Sequence, residues 1–308
     1  MSNNNNRVLV LLSTYNGECY LEEQLDSILN QEQVSPTILI RDDGSVDSTK
    51  TIINKYIEKY PHRIIFEEGN NVGFAQSFSE LLRIAYESYD GFLYYAFADQ
   101  DDVWEPKKLL AAVQQLEELS ADMPVAYCSN TTLVDKDLNF IGYAWKDAEV
   151  CITKPRALIQ NFATGCTMVF NRKAVELYVS HRPPVIKRHD FLMFQICVFL
   201  GKVVYDKHSY INYRQHGNNQ IGKPGFWKRM QTRMKGRYKE RTLELQNRYF
   251  LEAYKGLLSV DDIGLISRFV FYRENVFMRL SLLFDRKLKC HEFEADFFFI
   301  MKIILGTV

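Results

Sequence analysis

The sequence predicts an α/β protein: a Rossmann-like, mostly parallel sheet flanked by helices, followed by a C-terminal helical region. Short apolar runs alternate with helical patterns along the first 120 residues, the order that generates parallel strands. Each run ends in a polar, turn-forming loop. Beyond Gly222 such loops stop and helical spacing alone remains.

Val8 to Leu12 is a continuous apolar run, the signature of a strand covered on both faces. It leads into Ser13-Thr14-Tyr15-Asn16-Gly17-Glu18 and then into Leu21, Leu25, Ile28 and Leu29 at helical spacing. Thr37 to Arg41 repeats the plan and ends in Asp42-Asp43-Gly44-Ser45-Val46-Asp47-Ser48-Thr49. There Gly44 permits a sharp turn, and Asp47 or Ser45 can cap a helix reaching Tyr60. Arg63 to Glu67 is a third strand, followed by Gly69-Asn70-Asn71-Val72-Gly73 and a helix from Phe74 to Ser88. The fourth strand, Phe92 to Ala98, runs into Asp99-Gln100-Asp101-Asp102, after which Pro106 opens a helix through Leu119. In such a sheet the loops after strands one, two and four meet at the carboxyl edge, where open α/β sheets bind ligands.

The acidic stretch sets the chemistry. Two carboxylates 4 Å apart repel by roughly 4 kcal/mol at an effective dielectric of 20, so three in four residues need a cation, a proton or solvent. A hard divalent cation, Mn²⁺ or Mg²⁺, held by one or two carboxylates and completed by phosphate oxygens, is one solution. An acidic turn entering the next helix is the other. Polar groups on Ser13, Thr14 and Tyr15 and the carboxylates of Asp42 and Asp43 would surround a ligand with a base, a ribose and a diphosphate. Neither G-x-G-x-x-G nor the phosphate-loop pattern occurs, which argues against a nicotinamide enzyme or a P-loop ATPase.

Charge narrows the partners. Lysine plus arginine equals aspartate plus glutamate at 38 each, so nucleic acid is not an expected partner. The balance is uneven along the chain, because ten basic residues face three acidic ones between Lys223 and Lys255. Six cysteines, Cys19, Cys128, Cys151, Cys166, Cys197 and Cys290, show no C-x-x-C pair and read as reduced thiols of a cytoplasmic protein. The polar start, Met1 to Arg7, is neither a signal nor a transit peptide, and no apolar stretch reaches the length of about 18 residues needed to span a bilayer.

Taken together, Val8-Leu-Val-Leu-Leu-Ser-Thr-Tyr-Asn-Gly-Glu, Asp42-Asp43-Gly-Ser-Val-Asp-Ser-Thr, Asn71-Val-Gly-Phe and Asp99-Gln-Asp-Asp-Val-Trp-Glu-Pro resemble the family 2 glycosyltransferases of the GT-A fold. The resemblance implies nucleotide-sugar contacts from Ser13, Thr14, Tyr15, Asp43, Asn71 and Asp99, and a D-x-D metal site at Asp99 and Asp101. In that family the first loop usually begins with proline, where this chain has Ser13. Phe162 to Asn171 is similar to the family's sugar and acceptor segment, which implies acceptor-side roles for Gly165, Trp104 and His189. Arg188-His189-Asp190-Phe191 stands where the family keeps its base, implying Asp190, although without the resemblance a helix N-cap is the stronger reading of Asp190. His189 replaces the more usual glutamate, as in the branch resembling bacterial rhamnosyltransferases of surface polysaccharide synthesis. Arg214 and His216, in Tyr210-Ile-Asn-Tyr-Arg-Gln-His-Gly, would neutralise diphosphate and complete the metal shell.

The resemblance therefore implies an inverting transferase that moves a sugar, at best L-rhamnose from dTDP-L-rhamnose, to a glycan or lipid-linked saccharide. A UDP-hexose donor, a metal-dependent nucleotidyltransferase or phosphohydrolase, and a non-catalytic nucleotide-sugar binder are the alternatives. The transferase domain would cover residues 1–222, with a nucleotide-sugar half at 1–120 and an acceptor half at 121–222. Residues 223–308 would form helices at about 226–258, 263–284 and 291–305. The second and third, apolar on most sides and preceded by the basic stretch, suit either peripheral contact with the inner leaflet of the cytoplasmic membrane or a homodimer interface.

Overall fold

The structure, a computed structural model, describes residues 8–145, 150–181, 186–215, 242–288, 297, 299–301, 303–304 and 306. Four β/α units open the chain: β1 (Val8–Thr14) and α1 (Leu21–Leu29), β2 (Thr37–Asp42) and α2 (Thr49–Lys59), β3 (Ile64–Glu68) and α3 (Phe74–Ser88), then β4 (Tyr94–Ala98), the short β5 (Val103–Trp104) and α4 (Lys108–Glu117). The strands β1 and β4 are buried at almost every position, as their unbroken apolar runs require. Asp47, one of the two expected caps, accepts from the backbone N–H of Thr49 at 3.0 Å; Ser45 instead donates to Asp42.

After α4 come β6 (Val125–Val134), β7 (Phe140–Tyr143), β8 (Val169–Asn171), α5 (Arg172–His181), α6 (His189–Leu200) and β9 (Lys202–Arg214). The strands form one sheet in the order β3-β2-β1-β4-β8-β6-β9-β5, with β7 on β6. From β3 to β4 every pairing is parallel; β8 then runs antiparallel to both β4 and β6, and β6 pairs parallel with β9. The antiparallel strand inserted beside β4 brings the 3₁₀ turn Gly165–Thr167 against the carboxyl end of β4, where the acids begin.

Two compact units result. The sheet and its helices lie in the first, made of residues 1–150, 163–182 and 188–216. The second comprises 151–162, 183–187 and 217–308, and contains α7 (Thr242–Tyr254), α8 (Val260–Phe271) and α9 (Val276–Phe284). The single helix expected over 263–284 is broken in two. Asn275, which a continuous helix would carry on its polar stripe, instead caps α9, its side-chain oxygen accepting from the N–H groups of Phe277 (2.9 Å) and Met278 (3.1 Å). Much of the helix expected over 226–258 lies outside the described residues, as does His216. No helix among the described residues is long and apolar enough to cross a membrane.

Candidate active site

The carboxyl edge of β1, β2 and β4 holds the first, second and fourth loops in a net of hydrogen bonds. Gln100, between the acids of the fourth loop, accepts from Thr14 Oγ1 (2.6 Å) and the Tyr15 N–H (2.8 Å) and donates to the Tyr15 carbonyl (3.2 Å). Asn16 and Glu18 are tied to the second loop through Ser45 Oγ (2.8 Å) and Asp47 Oδ2 (3.1 Å). Ser13 shares a 2.7 Å hydrogen bond with Ser77, and Tyr15 stands out into solvent, 46% exposed.

Asp43 is buried, and its carboxylate is fully engaged. Arg41 Nη1 lies 2.5 Å from Oδ1, and the N–H groups of Val72 and Gly73 donate at 2.9–3.1 Å. In this structure Asp43 therefore fixes the third loop, including the exposed Asn71, to the second. Asp42 is equally committed, closing the turn at Gly44 through the N–H groups of Gly44 and Ser45. Gly44 has φ +87°, a conformation that a side chain strains.

The acids gather beside the Gly165 turn. Asp99 and Asp101 are partly buried, whereas Asp102 is fully buried and its Oδ2 has no hydrogen-bond partner among the described residues. Asp99, Asp102 and the thiol of Cys166 offer ligand atoms within 4.8 Å of one another. Burial, then the charge of Asp101, then that of Asp190, push the Asp99 carboxyl up to about 7; burial and the neighbouring acids push Asp102 well above the usual carboxylate range. Cys166 is held as the thiol by burial and by these acids. Of the two expected carboxylate ligands, Asp99 and Asp101, the cluster contains Asp99, with Asp102 and Cys166 beside it in place of Asp101, and the unpartnered buried Asp102 oxygen fits a hard cation. The protonated thiol does not add a thiolate.

Beneath the acids, Trp104 is 2% exposed and packs in the core; no acceptor could reach its ring without displacing neighbours. Lys108 Nζ sits 3.6 Å from the Trp104 ring centroid, buried without a hydrogen-bond partner among the described residues, and burial pushes its ammonium down to about 7. Arg214 was expected to reach phosphate. Its side chain is instead 3% exposed, donating to the Asp101 carbonyl (2.9 Å) and the Lys136 carbonyl (2.5 Å), paired with Glu23 and stacked over Tyr20, so it braces the acidic loop from behind.

Asp190 lies in the first turn of α6 and not at its cap, which is Arg188. Its Oδ1 accepts from the Phe191 N–H (2.8 Å) and Arg188 Nη2 is 3.3 Å from Oδ2. His189 is buried among Phe78 (ring centroids 4.1 Å, stacked), Phe97 (4.8 Å, edge) and Phe74 (5.8 Å, edge). Desolvation in that aromatic setting pushes its imidazolium down to about 4, so it is neutral at ordinary pH. A Cβ on Gly165 would lie 3.3 Å from both Asp190 Cβ and His189 Nε2, so glycine permits the turn's close approach to α6. Gly165, His189 and Asp190 are thus brought together, beside Asp99. Gln100, Lys108 and Cys166 were missed from sequence: the first sits inside the motif, but nothing in the chain order announces the pairing of a buried amine and a thiol with it.

The profile of the glycosyl transferase family 2 matches residues 9–178, which takes in all four loops. The chain belongs to glycosyl transferase family 2. Among family members, it is 30% identical over 227 residues to the dTDP-rhamnosyl transferase RfbG of Shigella flexneri, covering 68% of this chain and 73% of RfbG. It is 33% identical over 229 residues to an uncharacterised glycosyltransferase of Nostoc, covering 69% and 66%. Its fold is similar to that of S. aureus TarS 1–349 solved with UDP-GlcNAc (TM-score 0.58, 15% identity, 98% of this chain and 82% of TarS 1–349 covered). The mannosyltransferase PcManGT of Pyrobaculum calidifontis, solved with GDP-Man and Mn²⁺, is also similar (TM-score 0.50, 14% identity, 97% and 85% covered). The GT-A fold, family 2 membership and assignment as a glycosyltransferase follow from these matches.

Proposed function

We propose that the chain is an inverting rhamnosyltransferase that moves L-rhamnose from dTDP-L-rhamnose to a hydroxyl of a glycan or lipid-linked saccharide at the inner face of the cytoplasmic membrane. The observation that carries the reaction is the meeting of Asp190 with the acidic cluster: its charge acts on Asp99, and it packs against the Gly165 turn that carries Cys166. The choice of donor is supported by the similarity to RfbG. Residues 1–222 would form the catalytic domain, its first 120 residues holding the donor.

In this reading Ser13, Thr14 and Tyr15 line the base, with Asp43 and Asn71 setting the neighbouring loop, and Asp99 meets the ribose and the metal side of the diphosphate. A divalent cation, Mn²⁺ or Mg²⁺, would be held by Asp101 and Asp99, with Asp102 behind and His216 a further candidate; it would offset charge on the departing diphosphate. The acceptor oxygen attacks the anomeric carbon from the face opposite the diphosphate. Its proton passes to the Asp190 carboxylate, the new carbon–oxygen bond forms, and the old bond's electron pair leaves with the nucleoside diphosphate. His189 keeps the Asp190 turn in place as a neutral ring, and a ring with a pKa of about 4 is a poor base at neutral pH.

A thermal-shift panel of dTDP-rhamnose, dTDP-glucose, UDP-glucose and GDP-mannose, each with and without Mn²⁺, tests the donor. A ligand at 100 times its dissociation constant adds about 2.7 kcal/mol of stability. The reading predicts the largest metal-dependent shift from dTDP-rhamnose; a larger shift from a UDP-hexose moves the donor assignment, and stable transfer to a sugar acceptor excludes the phosphohydrolase and binding-protein alternatives.

A further inference from the structure

Three ligand atoms meet at the inner end of the acid centre: an oxygen of Asp99, an oxygen of Asp102 and the sulfur of Cys166, all within 4.8 Å of one another. Two elements supply them. Asp99 and Asp102 follow the carboxyl end of β4, and the 3₁₀ turn Gly165–Thr167 brings Cys166 against it, anchored where the Phe97 N–H donates to the Met168 carbonyl at 3.3 Å. Asp102 is 0% and Cys166 1% exposed, whereas Asp99 is half-buried and gives the group its access to solvent. Two further atoms point to a missing charge. Asp102 Oδ2 and Lys108 Nζ are both buried without a hydrogen-bond partner among the described residues. Burial works against the Lys108 ammonium, and the charges of Cys166 and Asp102 support it.

A buried carboxylate oxygen left unpartnered costs free energy that a bound cation recovers. Charge closes on the same ion, because a divalent cation and the Lys108 ammonium together balance two carboxylates and one thiolate. Sulfur decides which cation. Carboxylate oxygens accept hard and borderline ions alike, but a buried thiol gives up its proton only to an ion that binds thiolate strongly, such as Zn²⁺, Co²⁺ or Cd²⁺, and not to Mg²⁺. Tetrahedral Zn²⁺, with Zn–S of about 2.3 Å and Zn–O of about 2.0–2.2 Å, sets sulfur and oxygen about 3.6 Å apart. Side-chain movements of about 1 Å therefore close the three atoms on such an ion.

The geometry points to an inner site for a thiophilic divalent cation, formed by Cys166, Asp102 and Asp99 with Lys108 as the buried counter-charge, and separate from the Asp99–Asp101 pair assigned above to Mn²⁺ or Mg²⁺. On binding, the Cys166 S–H bond breaks, a sulfur–metal bond forms and the proton passes to buffer; no electron is transferred. The site does not rest on the rhamnosyltransferase reading. Titration of the reduced full chain with Co²⁺ tests it, because a cobalt–thiolate bond gives a near-ultraviolet charge-transfer absorption that carboxylates alone do not. Wild type is expected to show that absorption saturably and to lose it as Zn²⁺ displaces Co²⁺. Cys166→Ser should abolish it and weaken Zn²⁺ binding at least about tenfold, at a near-native metal-free melting temperature. Asp102→Asn should keep the absorption at saturation but need at least about tenfold more Co²⁺ to reach it, which decides the matter if Cys166→Ser does not fold. Cys19→Ser with Cys151→Ser, which removes the two exposed thiols among the described residues, should leave the absorption unchanged. No absorption in wild type, full absorption in Cys166→Ser, unchanged Co²⁺ affinity in Asp102→Asn or loss of absorption in the Cys19–Cys151 variant overturns the proposal. Asp101→Ala should retain the absorption; its loss there would merge the inner site with the outer pair and overturn the separation. Cobalt–thiolate absorption without sugar transfer would leave the inner site intact and remove the transferase reading, and transfer without the absorption would do the reverse.

Discussion

The two sides of the site are built on opposite principles. Around the first three loops, the buried carboxylates of Asp42 and Asp43 are matched by backbone N–H groups, Ser45 or Arg41, and the first loop is tied on both flanks. On the acid side, Asp102 Oδ2, Lys108 Nζ and His189 Nδ1 are buried with no hydrogen-bond partner among the described residues. A satisfied network fixes a shape before any ligand arrives; unpartnered polar groups cost free energy until a ligand or proton meets them. The first three loops are therefore preorganised, and the acid centre is held ready at a cost to stability.

The largest effect should come from Asp190→Asn. Asparagine can still accept the Phe191 N–H bond, so the melting temperature and donor affinity are expected to stay near wild type, while transfer falls by about 10²–10⁴. Turnover and calorimetric donor binding on one preparation decide this, and a loss of only a few-fold would return Asp190 to a structural role.

Next is the contrast itself, read as stability. Asp43→Ala leaves buried Arg41 without its carboxylate and frees the third loop, so a loss of about 3–5 kcal/mol is expected in urea unfolding. By comparison, Asp101→Ala removes a charge repelled by its neighbours and should leave stability unchanged or raised, while abolishing metal-dependent affinity for a nucleoside diphosphate. Equal destabilisation by both variants would erase the distinction between the two sides.

Protons give a smaller, graded signal. Asp99 is raised from 3.8 to about 7 in the folded chain, so between those values the native state binds more protons and metal-free stability falls as pH rises. Lys108 is lowered from 10.5 to about 7, so over that window the unfolded state binds more protons and stability rises with pH. These two groups together place a shallow minimum near pH 7, measurable by denaturant titration across pH. Lys108→Met should remove the alkaline rise. Mn²⁺ binding near neutral pH should release a proton, visible as a buffer-dependent calorimetric enthalpy.

How far the chain announces all this depends on range in sequence. Apolar runs ending in Asp42-Asp43-Gly44 or Asp99-Gln100-Asp101-Asp102 disclose the β/α units and the meeting of their loops, because each signal is local. The insertion of β8 beside β4 joins positions some 70 residues apart, and with it come the Gly165 turn and Cys166; no periodicity encodes that pairing. Arg214 shows the same limit. Its type suits phosphate, yet its neighbours Glu23, Lys136 and Tyr20 come from other elements and claim it for bracing. Asn275 failed for a different reason: one good capping side chain outweighed a helical pattern that ran unbroken through it.

Gln100 has a thermodynamic consequence. Its amide grips Thr14 and Tyr15 while its backbone joins Asp99 to Asp101, so the first loop and the acidic loop share one mechanical coupling. Whatever residual motion a ligand removes from one loop is then removed in part from the other, and linkage makes that help reciprocal. If the proposed function holds, nucleoside and cation should each tighten the other's binding even with no phosphate to join them. Thymidine, which has none, should raise Mn²⁺ affinity in the wild type and leave it unchanged in Gln100→Ala, and calorimetry that finds no such coupling would reduce Gln100 to a passive tether.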